Sequence, residues 1–162
     1  MLKLKCLASL VLLVFLAQPS LADDRAKIQG IWQLVSFQVE FQATGERQDV
    51  RGKNPTGYIN FTPEGRMGVI ITNEGRQPAT TDQDRAELFK TLVAYTGLYR
   101  VEGDKWITKV DVSANPAWVG TEQTRSFKID GNRLQESTAL MPFAAQPEKG
   151  MVRYVITYEK TK

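Results

Sequence analysis

After Gly30 the chain alternates apolar and polar residues with a period of two, the pattern of strands that turn one face to a core. Trp32 to Phe41, Gly57 to Phe61, Met67 to Thr72, Tyr95 to Val101, Trp106 to Ser113, Thr121 to Ile129, Leu134 to Thr138 and Met151 to Glu159 all read this way. The joints between them carry turn chemistry. Thr62-Pro63-Glu64-Gly65-Arg66, Glu102-Gly103-Asp104 and Asp130-Gly131-Asn132 place Gly and Asn where tight hairpins need residues tolerant of positive φ. One stretch departs from the pattern. Over 82–93, Ala86, Leu88, Phe89, Leu92 and Val93 recur at helical spacing behind Thr81, Asp82 and Asp84, which supply a cap and an acidic first turn. A single short helix is predicted there. Eight strands joined mostly by hairpins predict an all-β fold, an eight-stranded up-and-down antiparallel barrel, because closure removes the edges that an open sheet would have to protect. An open sandwich is the alternative.

The head of the chain follows a different rule. Lys3 and Lys5 precede an apolar run from Cys6 to Ala17, and Ser20-Leu21-Ala22 offers a small-x-small cleavage site, the three-part layout of a secretory signal peptide. The run is shorter than the roughly 20 residues that span a bilayer, and Pro19 follows it. Residues 1–22 are therefore read as a signal peptide and 23–162 as one barrel domain, exported to a periplasm or secreted, with no transmembrane segment once the leader is cleaved.

Composition narrows the chemistry. The 162 residues are 42% apolar and 24% charged, with no histidine, so Ser-His and Cys-His nucleophile pairs and histidine-ligated metal sites are excluded. No cofactor or metal is expected, since no phosphate-cradling glycine loop or calcium-binding loop is present. Without Lys3 and Lys5 the 21 basic residues fall to 19 against 18 acidic ones, and no long basic run remains, so nucleic acid is not an expected partner. Cys6 leaves with the leader, so stability must come from packing rather than disulfides.

Several segments together carry a resemblance. Gly30-x-Trp32-x-Leu34-Val35-Ser36, Pro55-Thr56-Gly57-Tyr58, Thr62-Pro63-Glu64-Gly65-Arg66-Met67, Tyr95-x-Gly97-x-Tyr99 and Asn115-Pro116-x-Trp118-Val119-Gly120-Thr121-x-Gln123-x-Arg125 closely resemble the bacterial and fungal lipocalin-like domain family over nearly all of 23–162. The resemblance implies a small calycin-type barrel with a ligand-sized interior, in which Gly30 and Trp32 close one end. It implies no single activity. Many members carry histidine near the positions of Thr108 and Lys109, and a role resting on that imidazole is closed to this chain.

Strand alternation sorts side chains by face. With Trp32 inside, Leu34, Ser36, Gln38 and Glu40 follow it inward, a gradient from apolar to polar; the opposite phase would put Val35, Phe37, Val39 and Phe41 in the core and Gln38 and Glu40 in solvent. In the fifth strand Trp106, Thr108, Val110 and Val112 turn in. In the sixth, Gln123, Arg125, Phe127 and Ile129 do so, which carries a guanidinium into the barrel. A buried arginine needs a partner, either Glu40, another acid or a bound anion, and its role is either ligand contact or a clamp over Trp32. Tyr58, Asn60, Tyr99 and Tyr154 are further candidates for an apolar wall with polar handles, as are Tyr95 and Tyr158. Trp118 is expected to cover a barrel end.

Three functions fit these features. The first is an exported barrel that binds a small, largely apolar or amphipathic molecule, with an anionic group answered by Arg125. The second is a cofactor-free isomerase or cyclase acting on a hydrophobic substrate, with Glu40, a tyrosine and Arg125 as its chemistry. The third is an envelope interaction or inhibitor protein whose barrel is filled. Oligomeric state is not legible in the sequence.

Overall fold

A computed structural model describes residues 21–161, so the leader read over 1–22 lies almost wholly outside the described residues. The chain opens with helix α1 (Leu21–Ile28), followed by β1 (Gly30–Phe41), the short β2 (Arg47–Asp49), β3 (Thr56–Phe61) and β4 (Arg66–Thr72). Helix α2 (Asp82–Lys90) then leads to β5 (Leu92–Glu102), β6 (Lys105–Ser113), β7 (Glu122–Asp130), β8 (Arg133–Ser137), the two-residue β9 (Met141–Pro142) and β10 (Met151–Lys160). Each main strand pairs antiparallel with its neighbour in the sequence, and β10 returns to pair with β1 from Trp32 opposite Lys160 to Phe41 opposite Val152. The expected eight-stranded barrel is therefore present: β1, β3 to β8 and β10 form the closed cycle.

The two short strands arise because β1 and β10 outrun their neighbours. β1 pairs with β3 only from Gly30 to Gln33, and further along the same edge β2 takes over at Gln38 to Glu40. β10 pairs with β8 over Val155 to Glu159 and with β9 at Met151 and Val152. Neither β2 nor β9 has an alternating pattern long enough to be read from sequence.

One end of the barrel is shut by packing. Trp32 is fully buried and its indole Nε1 donates to the Ile28 carbonyl of α1 at 2.8 Å, with Ile28 itself fully buried. Phe61 sits edge-on to Tyr99 and Trp106, with ring centroids 5.0 and 5.1 Å apart. Lys160 lies over the Trp32 ring, its Nζ 5.0 Å from the centroid. The clamp over the indole is thus Lys160, supplied by the strand that closes the cylinder, and not Arg125.

Two bulges reset which residues face inward. In β1 the pairing with β10 slips between Leu34 and Ser36, so Val35 is an extra residue and the alternation reverses behind it. Phe37, Val39 and Phe41 are buried as a result, while Ser36, Gln38 and Glu40 turn outward. The expectation that these three share the inner face of Trp32 fails for that reason. A second slip, opposite Thr96 and Gly97, leaves Asp111 unpaired in β6 and turns Val112 outward, where it is 63% exposed.

The helix predicted over 82–93 ends at Lys90. Its capping box is formed as expected, with Thr81 and Asp84 satisfying each other's backbone N–H groups. At the other end Thr91 folds back on the Leu88 carbonyl through both backbone N–H and hydroxyl, and Leu92 and Val93 pair with Thr72 and Ile71 instead. α2 buries none of its residues and Phe89 is 56% exposed. Sheet pairing outcompeted the last apolar pair of the helical pattern.

Gly97 marks a close approach between β5 and β6. A Cβ there would overlap the Lys109 carbonyl and stand 3.0 Å from the Val110 Cα. Gly97→Ala should therefore destabilise the barrel by about 1–3 kcal/mol, as overpacking does, measured as a fall in melting temperature; an unchanged melting temperature would contradict this close approach of β5 and β6.

Candidate functional site

Beyond the closed end, the other half of the barrel holds a cavity of about 550 Å³. Its walls are mainly apolar, formed by Phe37 of β1, Val69 and Ile71 of β4, Val93 and Tyr95 of β5, and Tyr154 and Ile156 of β10. Inward-facing residues are two apart along a strand, so in most of the lining strands one residue lies at the rim and the next lies deeper. Ile71, Val93, Gln123 and Thr138 occupy the rim; Val69, Tyr95, Arg125 and Glu136 form the floor. Trp118, in the 3₁₀ turn Pro116–Trp118 before β7, packs edge-on against Tyr95 with centroids 5.6 Å apart.

The floor carries an ionic cluster. Arg125 Nε stands 3.9 Å from Glu136 Oε2, and the two side chains are 15% and 5% exposed. The guanidinium also donates to the Thr124 carbonyl at 2.8 Å and to Gln123 Oε1 at 3.4 Å. Glu136 Oε1 accepts from the Tyr158 hydroxyl at 2.8 Å, while Oε2 is buried without a hydrogen bond. Burial pushes the Glu136 carboxyl above its ordinary value of 4.5, against the opposing pull of Arg125 and of the Tyr158 hydroxyl. Burial likewise raises the Tyr158 phenol well above 10, and the adjoining carboxylate adds to the effect. The Tyr95 phenol is pushed up to about 12, chiefly by burial; Arg125 pulls it down and Glu136 pushes it up.

A second guanidinium enters from the side. Between the stretch of β1 bound to β3 and the stretch bound to β2, the wall parts, and the segment after β2 fills the gap. Val50 N–H donates to the Phe37 carbonyl at 3.2 Å, and the Arg51 guanidinium lies over the Phe37 ring, 4.7 Å from its centroid. Arg51 Nη1 donates to Asn73 Oδ1 at 2.7 Å and to the Thr91 carbonyl at 3.2 Å. Its Nε is buried with no hydrogen bond, and burial depresses the guanidinium's pKa. Lys90, beside it on the lining, is paired with Glu87 at 2.8 Å.

The sequence-derived candidates divide into three groups. Trp118, Gln123, Arg125 and Tyr154 line the cavity. Thr108 is fully buried in the wall with its hydroxyl unbonded, and Tyr99 belongs to the closed end, where its hydroxyl donates to the Thr62 carbonyl at 3.1 Å. Ser36, Gln38, Glu40, Tyr58 and Asn60 are outside the cavity. Gln38 donates to Asp49, Glu40 is held between Arg47 and Arg153, and Tyr58 and Asn60 border a groove on the outer wall, because Ile59 and Phe61 take the inner positions of β3. Glu40 is therefore not the acid that answers Arg125; Glu136 is. The signal for Glu136 was present in the sequence, since Leu134 faces inward and Glu136 follows it by two residues. For Arg51, on an irregular segment, no periodicity existed to find it.

The chain belongs to the lipocalin-like domain family, whose model matches residues 29–161. Among solved structures it is similar to a lipocalin-like protein from Bacteroides uniformis ATCC 8492, with 15% identity, coverage of 83% of this chain and 98% of that one, and a TM-score of 0.45. A protein from Bacteroides eggerthii DSM 20697 matches with 12% identity, 82% and 98% coverage and a TM-score of 0.43. A mutant of the fluorescent protein UnaG matches with 17% identity, 84% and 97% coverage and a TM-score of 0.36. No curated protein sequence matches the chain.

The raised carboxyl of Glu136 sets the sign of a pH effect. The folded chain holds this proton more tightly than the unfolded chain, so the group's contribution to stability is present at low pH and is lost as pH rises from 4.5 through the raised value. Tyr158 and Tyr95, whose phenols burial pushes up, keep their protons across that window. Glu136→Gln removes the titration but keeps an acceptor for Tyr158. The melting temperature of the native chain minus that of the variant should decline as pH rises above 4.5, and a difference independent of pH would contradict the assignment.

Proposed function

We propose that this protein is an exported carrier that holds a small, largely apolar molecule bearing an anionic group in the open half of its barrel. The observation that carries the reading is the cavity itself: about 550 Å³ of space walled mainly by aliphatic and aromatic side chains, with a few polar groups at the floor, at one side and at the rim. Such a lining is typical of small-molecule sites, where apolar area supplies most of the affinity and a few polar groups fix orientation. The residues match that logic. Phe37, Val69, Ile71 and Ile156 offer surface whose burial against a ligand contributes about 25 cal/mol per Å², and Tyr95 and Trp118 add flat aromatic walls.

An open cavity is hard to reconcile with a barrel filled by its own side chains, which the inhibitor reading requires. The isomerase reading placed its base at Glu40, and that carboxylate is on the outer wall, held by Arg47 at 2.7 Å and by Arg153. Export enters the proposal through the leader pattern of residues 1–22, in which positive charge, apolar run and small-residue site occur in the order that signal peptides use.

Native mass spectrometry of protein purified from its own host tests the reading directly. A copurifying small molecule, released on denaturation, is the expected result; bare chain mass together with no uptake of apolar fluorescent probes would overturn it. A second check blocks the cavity. Val93→Trp at the rim should weaken probe binding by about tenfold or more, equivalent to about 1.4 kcal/mol, with the melting temperature held or raised.

A further inference from the structure

Two guanidinium groups line the cavity, and their electrostatic situations differ. Arg125 at the floor is already answered by Glu136 at 3.9 Å. An anion brought to that floor would gain from one charge and be repelled by the other, in a setting where burial magnifies both. Arg51 has no carboxylate within 4.0 Å among the described residues. Its hydrogen bonds go to neutral acceptors, the Asn73 amide oxygen and the Thr91 carbonyl, and its remaining contact is the face of Phe37. A partly buried cation with only neutral partners is costly to keep, and an anion is what would compensate it.

The site is also held in place. The segment that carries Arg51 is tied to the loop after β4: Glu74 N–H donates to the Arg51 carbonyl at 3.0 Å, and the Glu74 carboxylate accepts from Lys53 N–H and from the Asn54 side chain, both at 2.8 Å. Asn73 and Thr91 fix one Nη of the fork, while Phe37 fixes the guanidinium plane. The other Nη makes no hydrogen bond among the described residues, and Arg51 lines the cavity. The arrangement is preorganised, so an incoming carboxylate orders little that is not already ordered.

From this asymmetry we infer that Arg51, rather than Arg125, receives the anionic head of the ligand, which therefore lies head-out at the side of the rim with its apolar body directed to the floor. The ligand class is a singly charged amphiphile with a carboxylate or similar small anion at one end. This inference rests on the carrier reading above. It assigns Arg125 and Glu136 a different task, that of a self-neutralised floor which turns away a second charge.

Dodecanoate, dodecanol and dodecylammonium serve as probes, titrated into the full chain and followed by Trp fluorescence and calorimetry. The native chain should bind dodecanoate about tenfold more tightly than dodecanol, the scale of one charge-assisted hydrogen bond, and dodecylammonium more weakly than either. Arg51→Met keeps an aliphatic stem over Phe37 and should remove the carboxylate preference, with dodecanol affinity held within about twofold. The paired replacement of Arg125→Met with Glu136→Gln removes both floor charges together and should leave the preference standing. If Arg51→Met retains the preference, or the paired replacement abolishes it, the assignment to Arg51 is wrong while the carrier reading survives. Should none of the three probes bind the native chain, both fail together.

Discussion

The pairing of β1 with β10 is the constraint on which everything else in the molecule depends. It joins the first strand to the last over nine positions of the register, and without it the sheet would expose two edges and the cavity would have no wall on one side. The same pairing brings Lys160 over Trp32, and it sets Phe37 opposite Ile156 at the level where the cavity begins. Closed end and open end are thus produced by a single ladder.

That ladder also contains the irregularity that decides the chemistry of the site. The extra residue at Val35 reverses the facing of the outer half of β1, so a polar row that would have lined the barrel lies outside and the apolar row Phe37, Val39 and Phe41 replaces it. Phe37 then becomes the plate on which Arg51 rests, and Tyr154 packs edge-on to the same ring at 5.5 Å. Bulges commonly re-aim side chains near functional sites. In this barrel one bulge converts a polar inner wall into an apolar one.

Electrostatics divides the cavity between its floor and its side. In the Arg125, Glu136 and Tyr158 cluster the buried guanidinium has a carboxyl beside it, whereas Arg51 is answered by neutral acceptors and a ring. Between buried and half-buried groups such differences count for more than they would on the surface, and they give the interior a direction along which an elongated ligand can be oriented.

Period-two alternation and hairpin glycines determined the strand count and the antiparallel order, because those features act between residues adjacent in sequence or across a tight turn; the closed end at Trp32 was implied by the resemblance, and the groups that pack there, Phe61, Trp106 and Lys160, come from distant strands. The inward turn of Gln123, Arg125 and Phe127 was legible on the same grounds, β7 being regular. Three outcomes were decided only by tertiary structure: the phase of β1 beyond Val35, the identity of the acid beside Arg125, and the arrival of Arg51 through a parting in the wall. A bulge is set by how two distant strands accommodate each other's twist, a salt bridge by which strands become neighbours once the barrel closes, and a loop's entry by a gap that exists only after closure. None of these has a local signature, so alternation carried forward from Trp32 assigned Ser36, Gln38 and Glu40 to the wrong side of the wall.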